Sequence, residues 1–306
     1  MKKLKIVFMG TAEFAVPTLE KLFKSGHDVV SVYSSSPKKA NRGMTITQSP
    51  VSSTAKKFNL DLHYPDNLKS NDEYNRLKAL APDIIIVIAY GMILPPEILA
   101  IPKKGCFNLH ASILPRWRGA APIQRAMING DVKTGISIIK IDEGLDTGDI
   151  VLKKEISIDD DDNYRDLEKK LSILGAESFE NFFDKIEDPE LFEKQDDAKS
   201  SYAKKILKSE ARINWNDSAS VISRKINAFC PKPGAWFEYE SKRVKIIKAK
   251  KDDQSGIPGE VLDSNLKIAC GENSVQIIEI QKEGKQSCSV EKFLLGNKIN
   301  KGTILK

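Results

Sequence analysis

The chain has 306 residues, 41% hydrophobic and 29% charged, with 48 Lys+Arg against 42 Asp+Glu. That length accommodates two ordinary domains, and the composition is that of a folded globular protein rather than a disordered one. No apolar run approaches the ~18 residues of a membrane helix, and Cys106, Cys230, Cys270 and Cys288 show no CxxC pairing, which argues against a membrane protein, a disulfide scaffold and a zinc site.

The opening MKKLKIVFMGTAEF runs into a glycine turn without a small-residue cleavage site, so a cytoplasmic protein is expected. Residues 4–9 form a short β-prone run ending at Gly10, and AEFAVPTLEKLFKSG then reads as a helix closed by Gly26. The polar, basic stretch 34–50 is long for a connection. Lys38, Lys39 and Arg42 in it are candidates for gripping phosphates, and a surface loop is an equally good reading. DVVSVYS (28–34) and DIIIVIAYG (83–91) are continuous β-branched runs, as strands covered on both faces should be, so the sheet is expected to be doubly wound and mostly parallel. GCFNLH (105–110) and TGISIIKI (134–141) add two strands around a helix at PIQRAMING. The acidic run 159–162 leads into a long amphipathic helix and is read as capping and solvation.

Residues 1–188 are thus expected to form one Rossmann-like domain. Residues 189–208, polar and without periodicity, are expected to be a linker. Beyond it, a short helix around 218–229 precedes closely spaced short strands, the pattern of a small OB-like β-barrel over 209–306. Residues 204–306 hold 20 Lys+Arg against 12 Asp+Glu, so the positive excess sits in the C-terminal third and suits either a polyanionic partner or a solvated basic surface.

Asn108 and His110 lie two apart on a strand, so their side chains share a face near its C-terminal end. Ligands of open α/β sheets bind beyond that edge, and Asp146 arrives there after another strand. Taken singly, each residue also suits a turn, cap or structural role. Ser112 lacks a GxSxG elbow, Cys106 lacks a nucleophile signature, and His110 with Asp146 lacks a third metal ligand. MGTAEFA has one glycine where a dinucleotide loop wants three, and no Walker A loop is present.

FNLHASILPRWRGAAPIQRAMINGD with GLDTGD resembles the methionyl-tRNA formyltransferase family, and MGTAEFAVPTLEKL, DIIIVIAYGMILP, EARINW and INAFCPKPGAWFE extend the resemblance over both proposed domains. The Asn-x-His pair and downstream Asp are shared with sister folate-dependent formyltransferases, including those acting on sugar nucleotides; RWRGAAPIQ and GLDTGD narrow the match. The resemblance implies 10-formyltetrahydrofolate as formyl donor, the α-amino group of methionyl initiator tRNA as acceptor, and no metal. It implies Asn108, His110 and Asp146 as catalytic residues. Ser112, Ile113, Leu114 and Pro115 match the family's folate-binding segment, with Met92, Ile93, Asp142 and Leu145 completing the pterin pocket. Lys38, Lys39 and Arg42 fall on the loop that meets the tRNA acceptor stem, although SPKKANRG departs there from the family's usual run. A monomer is expected.

Overall fold

The computed structural model describes residues 3–40 and 45–306. In chain order these form β1 (Lys5–Gly10), α1 (Val16–Lys24), β2 (Asp28–Tyr33), β3 (Lys38–Ala40), β4 (Thr45–Thr47), α2 (Pro50–Lys57), β5 (Leu62–His63), α3 (Asn71–Leu80), β6 (Ile84–Ile88), α4 (Pro96–Leu99) and β7 (Cys106–His110). There follow α5 (Pro122–Asn129), β8 (Lys133–Lys140), β9 (Ile150–Ser157), α6 (Tyr164–Lys185), α7 (Ala219–Phe229), β10 (Trp236–Tyr239), β11 (Lys242–Asp252), β12 (Lys267–Ala269), β13 (Ser274–Lys282), β14 (Cys288–Ser289) and α8 (Val290–Leu294). The chain divides into two compact units, one of Met1–Gly119, Thr134–Ile156 and Glu168–Tyr202, the other of Ala120–Lys133, Ser157–Leu167 and Ala203–Lys306. Neither is a single run of chain, in contrast to the contiguous segments expected from the sequence.

The first unit is built on a seven-stranded sheet of order β5-β2-β1-β6-β7-β8-β9. Its pairs from β5 through β7 are parallel, and β8 runs antiparallel to β7. The central strands β1 and β6 are buried almost throughout, because a strand covered on both faces exposes neither alternate set of side chains. Gly10 ends β1 where a Cβ would press on the Phe8 ring and the Ile88 carbonyl, so this glycine serves close strand packing. On α6, Phe179 and Phe182 are fully buried, and Phe182 meets Phe107 of β7 edge to face at 5.0 Å, fixing the strand that carries Asn108 and His110.

The stretch expected as a linker is largely structural. Glu193 exchanges two 2.8 Å backbone hydrogen bonds with Ile150, and Ser201 accepts the Arg118 amide at 2.8 Å. Single helical turns at Pro189–Leu191 and Asp197–Lys199, isolated bridges and side-chain bonds order this segment, too short for a periodic pattern, which is why its sequence looks irregular. The expected role of the acidic run in capping α6 also shifts. Asn163 Oδ1 accepts the amides of Arg165 and Asp166, whereas Asp162 is buried and accepts the Asp159 amide. The basic stretch after β2 contains a short antiparallel ladder, β3 with β4, pairing Lys38 with Thr47.

In the second unit, β10-β11-β13-β12, with β14 on β13, make a five-stranded antiparallel sheet. Register irregularities in β11 around Lys248 bend the sheet, and the expected OB-like barrel takes the form of a curled half-barrel. Ser218 caps α7 through the Val221 amide, and α7 buries Ile222, Ile226 and Phe229.

Candidate active site

β7 sits between parallel β6 and antiparallel β8, with Asn108 opposite Val87 on one side and Ile139 on the other. Side chains two apart on a strand project to one face, so this register delivers Asn108 and His110 together near the end of β7. Asp146 comes from the loop between β8 and β9 in a left-handed conformation, φ 56°. Asn108 Nδ2 donates to Asp146 Oδ1 at 3.3 Å, and His110 Nδ1 lies 3.5 Å from Asp146 Oδ2. His110 is 6% exposed and the Asp146 side chain 14%, so the carboxylate retains access to a ligand while the imidazole is largely enclosed.

The segment after β7 fastens this group. His110 Nε2 donates to the Trp117 carbonyl at 2.8 Å; a carbonyl oxygen only accepts, so Nε2 carries the hydrogen and Nδ1 is the nitrogen turned toward Asp146. The Gly119 amide donates to Asp146 Oδ2 at 2.8 Å. The turn itself is pinned from β8, where the buried Ser137 hydroxyl donates to the Ser112 carbonyl at 2.8 Å and accepts the Leu114 amide at 3.0 Å.

The structure therefore brings Asn108, His110 and Asp146 together. The residues expected around the donor are placed more variously. Ser112 is buried and its hydroxyl donates to the Arg116 carbonyl at 2.7 Å, and Leu114 is buried in a small cluster with Ile139 and Ile150. Their side chains are thus committed to the turn and the core, leaving half-buried Ile113 and Pro115 as the more accessible part of that segment. Met92 packs against the core cluster containing Leu94 and Tyr90, while Ile93 is 89% and Leu145 61% exposed. Asp142 is exposed and occupied locally, accepting from the Gly144 amide and the Thr147 hydroxyl.

Of the expected phosphate-gripping residues, Lys38 is exposed at the start of β3, Lys39 pairs through its backbone with Ile46, and Arg42 lies outside the described residues. Cys106, the first residue of β7, is buried, and burial pushes its thiol up to about 12, so it holds no thiolate nucleophile at neutral pH. Among the described residues no group of three or more His, Cys, Asp or Glu is arranged to hold a metal ion, and no helix is long and apolar enough to cross a membrane.

Two polar side chains that sequence reasoning missed belong to the same assembly. Gln195 donates through Nε2 to the carbonyls of Asp146 and Gly148, each at 2.8 Å. Arg118, 2% exposed, donates through Nε and Nη2 to Gln195 Oε1. In the sequence Arg118 is one of two arginines in RWRGAAPIQ, and nothing there separates the buried one from exposed Arg116.

Residues 4–181 match the family model described as formyl transferase, and residues 205–298 match the formyl transferase C-terminal domain. Among curated proteins, the chain is 48% identical over 302 residues to a methionyl-tRNA formyltransferase from Pelagibacter ubique, covering 98% of this chain and 97% of the relative. A methionyl-tRNA formyltransferase from Caldanaerobacter subterraneus is 44% identical, with 99% and 100% covered. The fold is shared with an N-formyltransferase from Helicobacter canadensis, solved with folinic acid and dTDP-3-aminofucose (TM-score 0.66, 22% identity, 91% of this chain and 99% of that one). It is also shared with HypX from Aquifex aeolicus, solved with tetrahydrofolic acid (TM-score 0.68, 17% identity); this chain aligns over 99% of its length and spans about half of HypX, 51%. With two matching domain models and near-full-length relatives of this similarity, the chain belongs to the methionyl-tRNA formyltransferase family.

Proposed function

We propose that this protein transfers the formyl group of 10-formyltetrahydrofolate to the α-amino group of methionyl initiator tRNA, and that Asn108, His110 and Asp146 carry the chemistry. The observation that supports the catalytic assignment best is the meeting of one amide, one imidazole and one carboxylate within 3.5 Å at the strand edge, in a chain of this family. When bound, the donor supplies an electrophilic formyl carbon. Attack by the amine forms the new C–N bond and places negative charge on the formyl oxygen. Asn108 Nδ2 donates to that oxyanion with the hydrogen it does not give to Asp146, and His110, whose Nε2–H is held by the Trp117 carbonyl, serves it through a protonated Nδ1, in a partly dry site where such bonds stabilise charge that develops during reaction. Asp146 orients His110 and takes the proton that the amine loses, directly or through water. The C–N bond to the folate then breaks, and its nitrogen leaves with a proton.

Ile113 and Pro115, the exposed apolar Ile93 and Leu145, and the backbone of the 142–146 loop fit the flat apolar and hydrogen-bonding faces of a pterin. Ser112 and Leu114 act by holding that wall in shape, and Met92 and Asp142 by holding its neighbours. Lys38, Lys39 and Arg42 contact tRNA phosphates, and residues 209–306 hold the tRNA backbone. On β11 the side chains of Lys248 and Lys250 are exposed, a basic row suited to a polyanion. The protein works as a monomer in the cytoplasm.

The test is a comparison of acceptors. Purified protein with 10-formyltetrahydrofolate formylates methionyl initiator tRNA with a kcat/KM far above that for a dTDP-amino sugar. The reverse order would assign it to sugar-nucleotide formylation, the activity class of proteins that share this fold.

A further inference from the structure

We infer that Gln195, locked by Arg118, is a positioning residue that sets Asp146 in its working geometry; this deepens the catalytic reading above and rests on it. Asp146 adopts a left-handed backbone conformation, a minority state that aspartate enters more readily than most residues with a Cβ and that outside contacts stabilise. Bonds from the Gly144 amide and the Thr147 hydroxyl to Asp142 Oδ1 shape the exposed turn that precedes it. Gln195 ties the backbone on both sides of the catalytic position. Its Nε2 spends both hydrogens on carbonyls that bracket the catalytic position, Asp146 O and Gly148 O, each at 2.8 Å. Its Oε1 accepts both Nε and Nη2 of Arg118, at 3.0 and 2.9 Å.

Every donor and acceptor of the Gln195 amide is thus used, and its orientation follows from chemistry. Rotating the amide by half a turn would face its oxygen toward two carbonyl oxygens and its NH2 toward a guanidinium, turning four attractions into repulsions. Arg118 cannot leave, since it is buried and its Nη2 also donates to Asp197 Oδ1 at 2.8 Å. The same three-residue segment touches the catalytic side chains directly, with the Trp117 carbonyl on His110 Nε2 and the Gly119 amide on Asp146 Oδ2. Asp146 is therefore held twice from one strut. Gly119 fixes its carboxylate, and Arg118, through Gln195, fixes its backbone. The contacts made by the carboxylate toward Asn108 and His110 are long, 3.3 and 3.5 Å, so a small backbone relaxation would break them.

The test is a mutant cycle read in steady-state formylation. Gln195→Glu keeps oxygens for Arg118 but replaces the two N–H donors with an oxygen facing two carbonyls; Gln195→Met removes both functions. Misplacement of a reacting group by about 1 Å costs on the order of a hundredfold in rate. In both variants kcat is expected to fall by about that factor, with KM for tRNA and for the folate donor within about twofold of the parent. In an Asp146→Asn background, Gln195→Glu is expected to cause no further loss of kcat, because its effect runs through the carboxylate. A general structural role would lower kcat by the same factor in both backgrounds, and that result, or parental kcat in Gln195→Glu, overturns the inference. Should Gln195→Met fail to fold, Gln195→Glu and the shorter Gln195→Asn enter the same cycle. Parental activity in Asp146→Asn alone would overturn the assignment of Asp146 and the positioning role with it. An impaired Asp146→Asn beside unaffected Gln195 variants would remove the positioning role only.

Discussion

Asn108 has one strand position and one amide, and the oxyanion role proposed for it can be isolated more cleanly than the roles of its neighbours. Its Nδ2 sits 3.3 Å from Asp146 Oδ1, whereas His110 approaches the other carboxylate oxygen, so removing the amide leaves the His110–Asp146 pair in place. Loss of one oxyanion donor costs about 10²–10³ in kcat. Asn108→Ala is expected to fall in that range with KM for both substrates little changed, and a KM rise at constant kcat would show that Asn108 binds substrate without serving the transition state. The Asn-x-His pair was legible in the sequence because a strand places residues two apart on one face. Asp146 was legible because it follows a strand that ends at the same edge. Gln195 was not legible: it lies 49 positions from Asp146 in an aperiodic polar stretch, and glutamine there has no local signature. The burial of Ser112 and Leu114 was hidden for a related reason, since a motif names residues without saying which way their side chains turn.

At the level of elements, the strands and helices were readable wherever burial is periodic or continuous, as in β1, β6, α5 and α7. They were least readable where hydrogen bonds do the ordering, as around residues 189–208. Two elements of the second unit illustrate such ordering. Arg125 of α5 donates to both carboxylate oxygens of Glu210, at 2.7 and 3.1 Å, and to the Lys204 carbonyl at 3.0 Å. The Arg125 guanidinium holds the Glu210 carboxyl below its ordinary value, with partial burial opposing the shift and the Leu207 amide assisting it. Because the folded value is depressed, this pair contributes its full stability above the ordinary carboxylate value and loses it as pH falls toward the folded one. Glu210→Gln is expected to lower stability at neutral pH by about 1 kcal/mol, a charged hydrogen bond discounted for partial exposure. The difference from the parent should shrink on acidification, as measured by thermal or denaturant unfolding; a constant gap across pH would contradict the ion-pair account. In the first unit, a Cβ at Gly148 would run into the Lys140 carbonyl. Gly148→Ala is expected to cost about 1–3 kcal/mol of stability, and unchanged unfolding would show that the 140–148 loop moves freely.

For the whole molecule, the uneven charge is the feature that composition alone made visible. Residues 204–306 carry eight more Lys+Arg than Asp+Glu, and β11 displays several of those cations on an exposed row. Binding of tRNA through such contacts releases counterions, so affinity should fall linearly on a log–log plot against salt. Lys248→Ala with Lys250→Ala is expected to raise KM for tRNA, to reduce the salt slope by roughly 1–2, and to leave kcat unchanged. An unaltered slope would place the phosphate contacts elsewhere. The two-part organisation was also foreseeable, but not its discontinuity, because segments 120–133 and 157–167 join the second unit through tertiary contacts that carry no composition signal. Formyl transfer to methionyl-tRNA is proposed to occur at Asp146 and its two partners. The most direct measurement is single-turnover formylation of methionyl initiator tRNA by the parent protein and by Asp146→Asn, both saturated with donor. The parent is predicted to form N-formylmethionyl-tRNA and the variant to do so about a hundredfold or more slowly; equal rates, or no product from the parent, would contradict it.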